Sequence, residues 1–187
     1  MKDNFSEFDD ESLIKYIQEG NHEAFTEIVK RHSKRFYNIA YRLIFNKNDA
    51  EDIVQEAFLK MWGKRFLWDE SKDAKFTTWF YRGVVNLCLD QNRKKRPEPL
   101  SQENQLTDMQ EGQEALLYEK QKQKILDRFI KDLPERQQLA LNLCFYEGLS
   151  NQEAAEIIGV NLKALQSLLM RAKITLKEKV KKYLSEA

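Results

Sequence analysis

One stretch, GLSNQEAAEIIGVNLKALQSLLMRA at residues 148–172, leaves the chain little choice of local structure. Ser150 followed three residues on by Glu153 forms a capping box, in which each side chain satisfies amide hydrogens that the first turn of a helix leaves without partners. Gly159 suits the left-handed residue that ends this short helix, small Ala155 permits a close crossing, and Ile157, Ile158 and Val160 fill the wedge beyond. A second helix follows. At about 100° per residue, Leu165, Leu169, Ala172 and Leu176 face one way, while Lys163, Gln166, Ser167, Met170 and Ile174 face the other, flanked by Arg171 and Lys173. One side grips its own domain and the other offers donors to a major groove, so a helix-turn-helix that reads DNA is favoured over a solvated helical hairpin. Gln166 and Ser167 are the base readers, and Lys163, Arg171 and Lys173 the phosphate contacts. So few cations predict weak binding alone, because sequence-independent affinity scales with the phosphates neutralised.

The rest of the chain reads as helix too. Of 187 residues 42% are apolar and 33% charged, with six Gly and three Pro, a balance that fits an all-α protein. The first residues, MKDNFSEFDDES, are acidic and contain no apolar core of a signal peptide, and no apolar run is long enough to span a bilayer. The expectation is a cytoplasmic protein without membrane insertion. Cys88 and Cys144 sit within apolar helical patterns far apart in sequence, which predicts reduced thiols rather than a disulfide. His32 falls on an apolar stripe and His22 gives it no second ligand at useful spacing, so no metal site and no cofactor is expected.

Charge divides the chain. Residues 1–96 carry 18 basic and 16 acidic side chains, 97–119 carry none and 6, and 120–187 carry 13 and 8. Two lobes, 1–96 and 120–187, are thus expected on either side of a flexible acidic linker at 97–119, whose text PEPLSQENQLTDMQEGQ has no helical period. In the first lobe, Phe25, Ile28, Val29, Phe36, Ile39, Ala40, Leu43 and Ile44 recur every three or four residues and predict one amphipathic helix. A second is expected to open at Asn48 with Glu51 closing a capping box, burying Ala50, Ile53, Val54, Ala57, Phe58 and Met61. Its other face mixes Asp52, Gln55 and Glu56 with Leu59 and Trp62. Two readings stay open here: a docking surface for a partner, or packing of Leu59 and Trp62 on a neighbouring helix.

A third helix is expected over about 75–95. Phe76, Trp79 and Phe80 at helical spacing are core by default, but Lys75, Thr77, Thr78, Arg82, Asn86, Arg93 and Lys94 beside them supply partners for phosphates and base edges where rings can stack on unpaired bases. In the second lobe, helical period resumes from Leu116, breaks at Leu133-Pro134 and restarts, with Pro134 suited to a first turn. A one-component regulator with a ligand-sensing first lobe would not require the segment 48–62 or the aromatic and basic helix after it. An enzyme reading finds no phosphate-cradling Gly loop, no clustered ligands and no nucleophile motif.

Three blocks in order, EAFTEIVKRH with NDAEDIVQEAFLKMW, then FTTWFYRGVVNLCLDQNRKKR, then LPERQQLALNLCFYEGLSNQEAAEIIGVNLKALQSLLMRAKITL, resemble the bacterial RNA polymerase sigma factors of the extracytoplasmic-function (ECF) type. The resemblance covers almost the whole chain. It implies a region 2 helical bundle at 1–96 and a region 4 helix-turn-helix domain at 120–187, acting with core polymerase to start transcription at promoters, in a stress or envelope response. It implies that Asp49, Glu51, Asp52, Gln55, Glu56, Phe58, Leu59 and Trp62 dock on the β′ coiled coil of the polymerase. It implies that Lys75, Phe76, Thr78, Trp79, Arg82, Asn86, Arg93 and Lys94 melt and read the −10 element, with the loop 67–74 holding a flipped base. Ser150, Lys163, Gln166, Ser167, Met170, Arg171 and Lys173 then belong to the −35 reader, whose domain also meets the β flap, and an anti-sigma factor becomes a further expected partner. The chain departs from the pattern at Lys163-Ala164-Leu165, where a Gly-Thr-Val-like opening is usual, and at Leu168, where an Arg is common. Promoter preference is therefore not carried over from relatives.

Overall fold

The computed structural model describes residues 5–63, 68, 75–94 and 114–186, with side chains from 122 in the last segment. These form a short 3-10 turn, Phe5–Glu7, and eight α-helices: α1 Asp10–Gln18, α2 His22–Ile44, α3 Lys47–Gly63, α4 Phe76–Lys94, α5 Glu114–Lys131, α6 Glu135–Leu141, α7 Asn151–Ile158 and α8 Leu162–Glu186. No strand occurs among the described residues, in keeping with the all-α expectation. None of their helices is long and apolar enough to cross a membrane.

Local chemistry sets the helix ends. Asp9 accepts from the Ser12 amide to start α1, and Asn21 accepts from the amides of Glu23 and Ala24 to start α2. α2 ends at Phe45, which adopts φ 57°, a left-handed conformation uncommon for an aromatic residue. The chain then re-enters a helix almost at once. Asn46, not Asn48, caps α3: its Oδ1 accepts from the Asp49 amide at 3.1 Å and its carbonyl from Ala50. The two asparagines are two residues apart, and spacing alone favoured the one with a Glu at the capping-box position. Pro134 precedes α6 as its cap rather than lying in the first turn, and α5 already begins at Glu114, inside the segment read as linker.

In the N-terminal lobe α1 lies across α2, and α2, α3 and α4 pack on one another around rings. Phe36, fully buried, stands 4.5 Å from Phe80 and 4.8 Å from Tyr81 between ring centroids, and Phe58 stands 4.8 Å from Phe80. Tilted and edge-on pairs of this kind contribute roughly 0.5–1.5 kcal/mol each beyond area burial. His32 is core here. Its Nε2 lies 2.6 Å from Asp10 Oδ2, and that hydrogen bond holds the Asp10 carboxyl below its ordinary range. The neighbouring Arg31 donates to the carbonyls of Phe5, Ser6 and Phe8 and to Asp10, tying the first described turn to α2.

The C-terminal lobe is packed with smaller groups. Leu139, Ala140, Leu143, Ala154, Ala155, Leu165 and Ala172 are its buried centre, where α6, α7 and α8 meet. α6 runs into a π-helical turn, Asn142–Tyr146, in which the Glu147 amide bonds the Asn142 carbonyl five residues back. Nothing in the apolar pattern announced that turn. The capping box of α7 is complete in both directions, and Gly159 closes the helix at φ 74°. Asn161 caps α8 through the Ala164 amide.

Candidate polymerase and DNA interfaces

The mixed face of α3 resolves into two parts. Leu59 is 61% exposed amid the exposed Glu51, Asp52, Gln55 and Glu56, with Asp49 half-buried at the start of the helix. Trp62 instead turns back onto the start of α2, 4.4 Å from the His22 ring and 5.1 Å from Phe25. The packing reading therefore holds for Trp62 and not for Leu59, which stands clear of the neighbouring helices. Phe58, expected at the docking surface, is 6% exposed and stacks in the aromatic core; its place is to hold α3, not to meet a partner.

Between α3 and α4 runs a groove of about 380 Å³ whose walls include Trp79, Arg82 and Asn86. Three of the expected −10 residues thus come together beside an apolar floor of Met61 and Phe80. Lys60 joins them from α3, a cation that the pattern of α4 alone did not reveal. Phe76 and Thr78 are corrected. They are 0% and 5% exposed, since they point from the first turn of α4 into the core, and cannot meet a strand. Arg93, paired with Asp90 at 3.5 Å, and Lys94 stand exposed at the end of α4. Of the loop 67–74 only Trp68 is described, buried against Phe76 with its carbonyl accepting from Gln18; the flipped-base expectation otherwise lies outside the described residues.

The second helix of the helix-turn-helix divides along the predicted line. Leu165 and Ala172 are fully buried and Leu169 nearly so, while Lys163, Gln166, Ser167, Met170, Arg171 and Lys173 are exposed. Ser150 is also exposed, but its hydroxyl is engaged by Glu153 in the cap. Those hydrogen bonds, then Lys75, hold the Glu153 carboxyl below its ordinary range. Leu168 is half-buried against the lobe's core at the rim of a hollow formed with Arg136, Ser167 and Arg171. Arg136, on α6, was not anticipated; only tertiary packing sets it beside Arg171.

Two cations expected to meet DNA reach across to the other lobe while keeping part of their surface exposed. The Arg82 guanidinium donates to the Glu156 carbonyl at 2.7 Å, and Lys75 Nζ pairs with Glu153 at 3.2 Å. Both partners lie on α7. No group of His, Cys, Asp or Glu able to hold a metal ion occurs among the described residues.

A bundle with an acidic and leucine-bearing face, a groove with a ring and cations, and a helix-turn-helix are found together in a known family. Residues 28–98 match the family model described as Sigma-70 region 2, and residues 123–176 that described as Sigma-70, region 4. The chain is 30% identical over 183 residues to the ECF RNA polymerase sigma-E factor of Escherichia coli, covering 91% of this chain and 94% of that protein. It belongs to the ECF RNA polymerase sigma factors. SigW of Bacillus subtilis, another ECF sigma factor, is 28% identical over 180 residues, 90% of this chain and 95% of the relative. Among solved structures, CnrH in complex with the cytosolic domain of CnrY shares the fold at TM-score 0.70 and 23% identity, over 92% of this chain and 97% of that one. The sigma factor RpoE of Bartonella quintana, in complex with the anti-sigma factor NepR, does so at 0.67 and 21%, over 84% and 96%. As an ECF sigma factor the protein binds core RNA polymerase and promoter DNA and directs promoter-specific initiation at −10 and −35 elements.

Proposed function

We propose a division of that activity among residues. Asp49, Glu51, Asp52, Gln55, Glu56 and Leu59, backed by Trp62, dock on the β′ coiled coil of the polymerase; Phe58 supports the surface from beneath. Lys75, Trp79, Arg82, Asn86, Arg93 and Lys94, with Lys60, engage the melted −10 element: the Trp79 ring offers a stacking platform and the cations follow the backbone. Lys163, Gln166, Ser167, Met170, Arg171 and Lys173, joined by Arg136, form the −35 reader, positioned by the Ser150 cap, and the same lobe meets the β flap. Residues 1–96 and 114–187 are the two working lobes, with the linker between them shortened to 97–113 by the start of α5 at Glu114. The chemistry of RNA synthesis belongs to the polymerase, and the sigma factor acts in the cytoplasm without a catalytic residue or cofactor of its own.

The observation that carries this reading is the exposure of Leu59, a large apolar side chain set among the carboxylates of α3. Of the two similar structures, the sigma factor RpoE was solved with the anti-sigma factor NepR, and CnrH with the cytosolic domain of CnrY. By that likeness an anti-sigma factor is the regulator of this chain, in a stress or envelope response. Run-off transcription with purified protein and bacterial core polymerase on genomic fragments tests the whole: discrete starts preceded by shared −35 and −10 sequences are expected. Tight specific duplex binding by the protein alone, without any core-dependent transcript, is the outcome that sinks it.

A further inference from the structure

Glu147 sits where the two lobes meet, and its side chain is only 5% exposed. From α2 of the other lobe, Arg42 donates to Oε1 at 2.8 Å, while Arg35 donates to Oε2 at 3.1 Å and to the backbone carbonyl at 3.1 Å. The Tyr81 hydroxyl on α4 donates to Oε2 at 2.6 Å. The guanidinium of Arg42 also lies 4.5 Å over the ring of Tyr146, and that of Arg35 lies 5.2 Å over Tyr81. One carboxylate thus gathers both guanidinium groups and a phenol, all from the opposite lobe. A buried carboxylate is stable only when so partnered. The π-helical turn just before Glu147 places it there, because the Glu147 amide closes that turn on Asn142. Farther along the same seam, Arg82 and Lys75 engage α7, and Lys131 Nζ stands 5.0 Å over the Phe45 ring.

This arrangement cannot be the one that reads a promoter. The centres of a −10 and a −35 element lie roughly 25 nucleotides apart, or about 85 Å along B-DNA at ~3.4 Å per step. Here an Arg of the −10 groove touches the first helix of the −35 reader at 2.7 Å. Residues 95–113, if extended, span roughly 60 Å, so the chain has the length to let the lobes part.

We propose that Glu147 is an intramolecular latch that holds the free sigma factor closed, with Lys75 and Arg82 tied to α7, and that engaging polymerase and promoter requires the latch to open. The latch stands on the Glu147 geometry alone; the bearing of the α7 ties on promoter contact rests on the assignment of Lys75 and Arg82 to the −10 element. A chain that is competent only when open binds with its affinity reduced by the open fraction. Loosening the latch therefore shifts binding without adding a contact.

The test uses the full chain with Cys144→Ser and dyes at Glu19→Cys and Lys177→Cys, one exposed site on each lobe, in the native background and with Glu147→Gln or Arg35→Ala/Arg42→Ala. Far-UV circular dichroism checks that the helices remain. The expected result is high energy transfer in the latched chain, a clear loss of transfer in both variants, and a run-off titration with core polymerase whose midpoint falls about tenfold at an unchanged plateau. Equal transfer in all three chains overturns the latch, as does a loss of transfer with an unmoved midpoint. Arg82→Ala is run beside them on a template already unpaired at −10. If it initiates normally while Glu147→Gln still opens the chain, the latch stands and the −10 assignment of Arg82 falls.

Discussion

On the proposed function each lobe presents one helix to DNA, α4 in the first and α8 in the second, and the two helices are held by different means. In the N-terminal lobe α4 is fixed by rings: Phe76, Phe80 and Tyr81 interlock with Phe36 and Phe58, leaving Trp79 half-exposed in the groove. In the C-terminal lobe α8 buries Leu165, Leu169 and Ala172 where it meets α7, which buries the small Ala154 and Ala155; Asn161 caps α8 and Ser150 caps α7. If the first lobe melts and holds a single strand, as proposed, large interlocked groups keep its platform rigid. If the second docks on intact duplex, small residues let its helix cross close to its neighbour.

The largest effect expected from breaking this contrast comes from the ring cluster. Phe36→Ala removes a fully buried ring and should lower N-terminal lobe stability by about 3–5 kcal/mol, the range for buried aromatic truncations. Leu165→Ala in the other lobe should cost about 2–5 kcal/mol. Urea unfolding followed by hydrogen exchange assigns each loss to its lobe. A Phe36→Ala loss below 1 kcal/mol, or one spread evenly over both lobes, would show that the rings are not what distinguishes them.

Next comes the α3 surface, where the contrast lies within one lobe. Leu59→Ala should leave stability within about 0.5 kcal/mol, as for surface substitutions, yet weaken core polymerase binding about tenfold. Trp62→Ala should lower both, since its ring packs on His22 and Phe25. Fluorescence anisotropy against core polymerase with parallel thermal melts separates the two. Unchanged binding by Leu59→Ala removes the docking assignment.

Much of this was legible in the sequence, and the limits have physical causes. The capping box and Gly159 are local, set by contacts within a few residues, and the structure reproduces both. The apolar stripe of α2 likewise becomes its buried face, with Ile28, Phe36, Ile39 and Ala40 fully buried. Periodicity already set Phe58 on a buried face and Phe76 in the core; the resemblance, which matches positions and not depth, is what placed Phe58, Phe76 and Thr78 at surfaces they do not reach. The Glu147 cluster spans 66 to 112 residues of chain, and no spacing rule connects Glu147 with Tyr81, Arg42 and Arg35. Lys60 and Arg136 were missed for the same reason: each joins its site from another helix.

A smaller effect is expected at the caps. Ser150→Ala should cost about 1 kcal/mol, the usual loss for an N-cap, and only in the C-terminal lobe. Glu153 adds a pH signature. Its folded-state pKa lies below the ordinary value of 4.5 because the Ser150 hydrogen bonds favour the carboxylate. Its contribution is therefore present above pH 4.5 and lost as pH falls through the lower folded value. Acid unfolding of Ser150→Ala should show less of that loss. An acid profile identical to wild type means the box does not hold Glu153 in solution.

The smallest effect leaves stability untouched and reads each lobe separately, because nature has placed one thiol in each. Cys88 is fully buried on α4, and desolvation pushes its pKa up to about 12. At pH 8 only about one part in ten thousand is thiolate, so alkylation there must wait for the N-terminal lobe to open. Cys144 is half-buried in the π-helical turn; burial raises its pKa too, but Lys173 opposes the shift. Iodoacetamide at pH 8, followed by mass spectrometry, should modify Cys144 first and Cys88 only on the unfolding timescale. Phe36→Ala should speed Cys88 labelling and leave Cys144 nearly unchanged, and Ser150→Ala should do the reverse. If either substitution accelerates both thiols equally, the lobes open together, and the seam at Glu147 rather than the separate cores governs how the free protein unfolds.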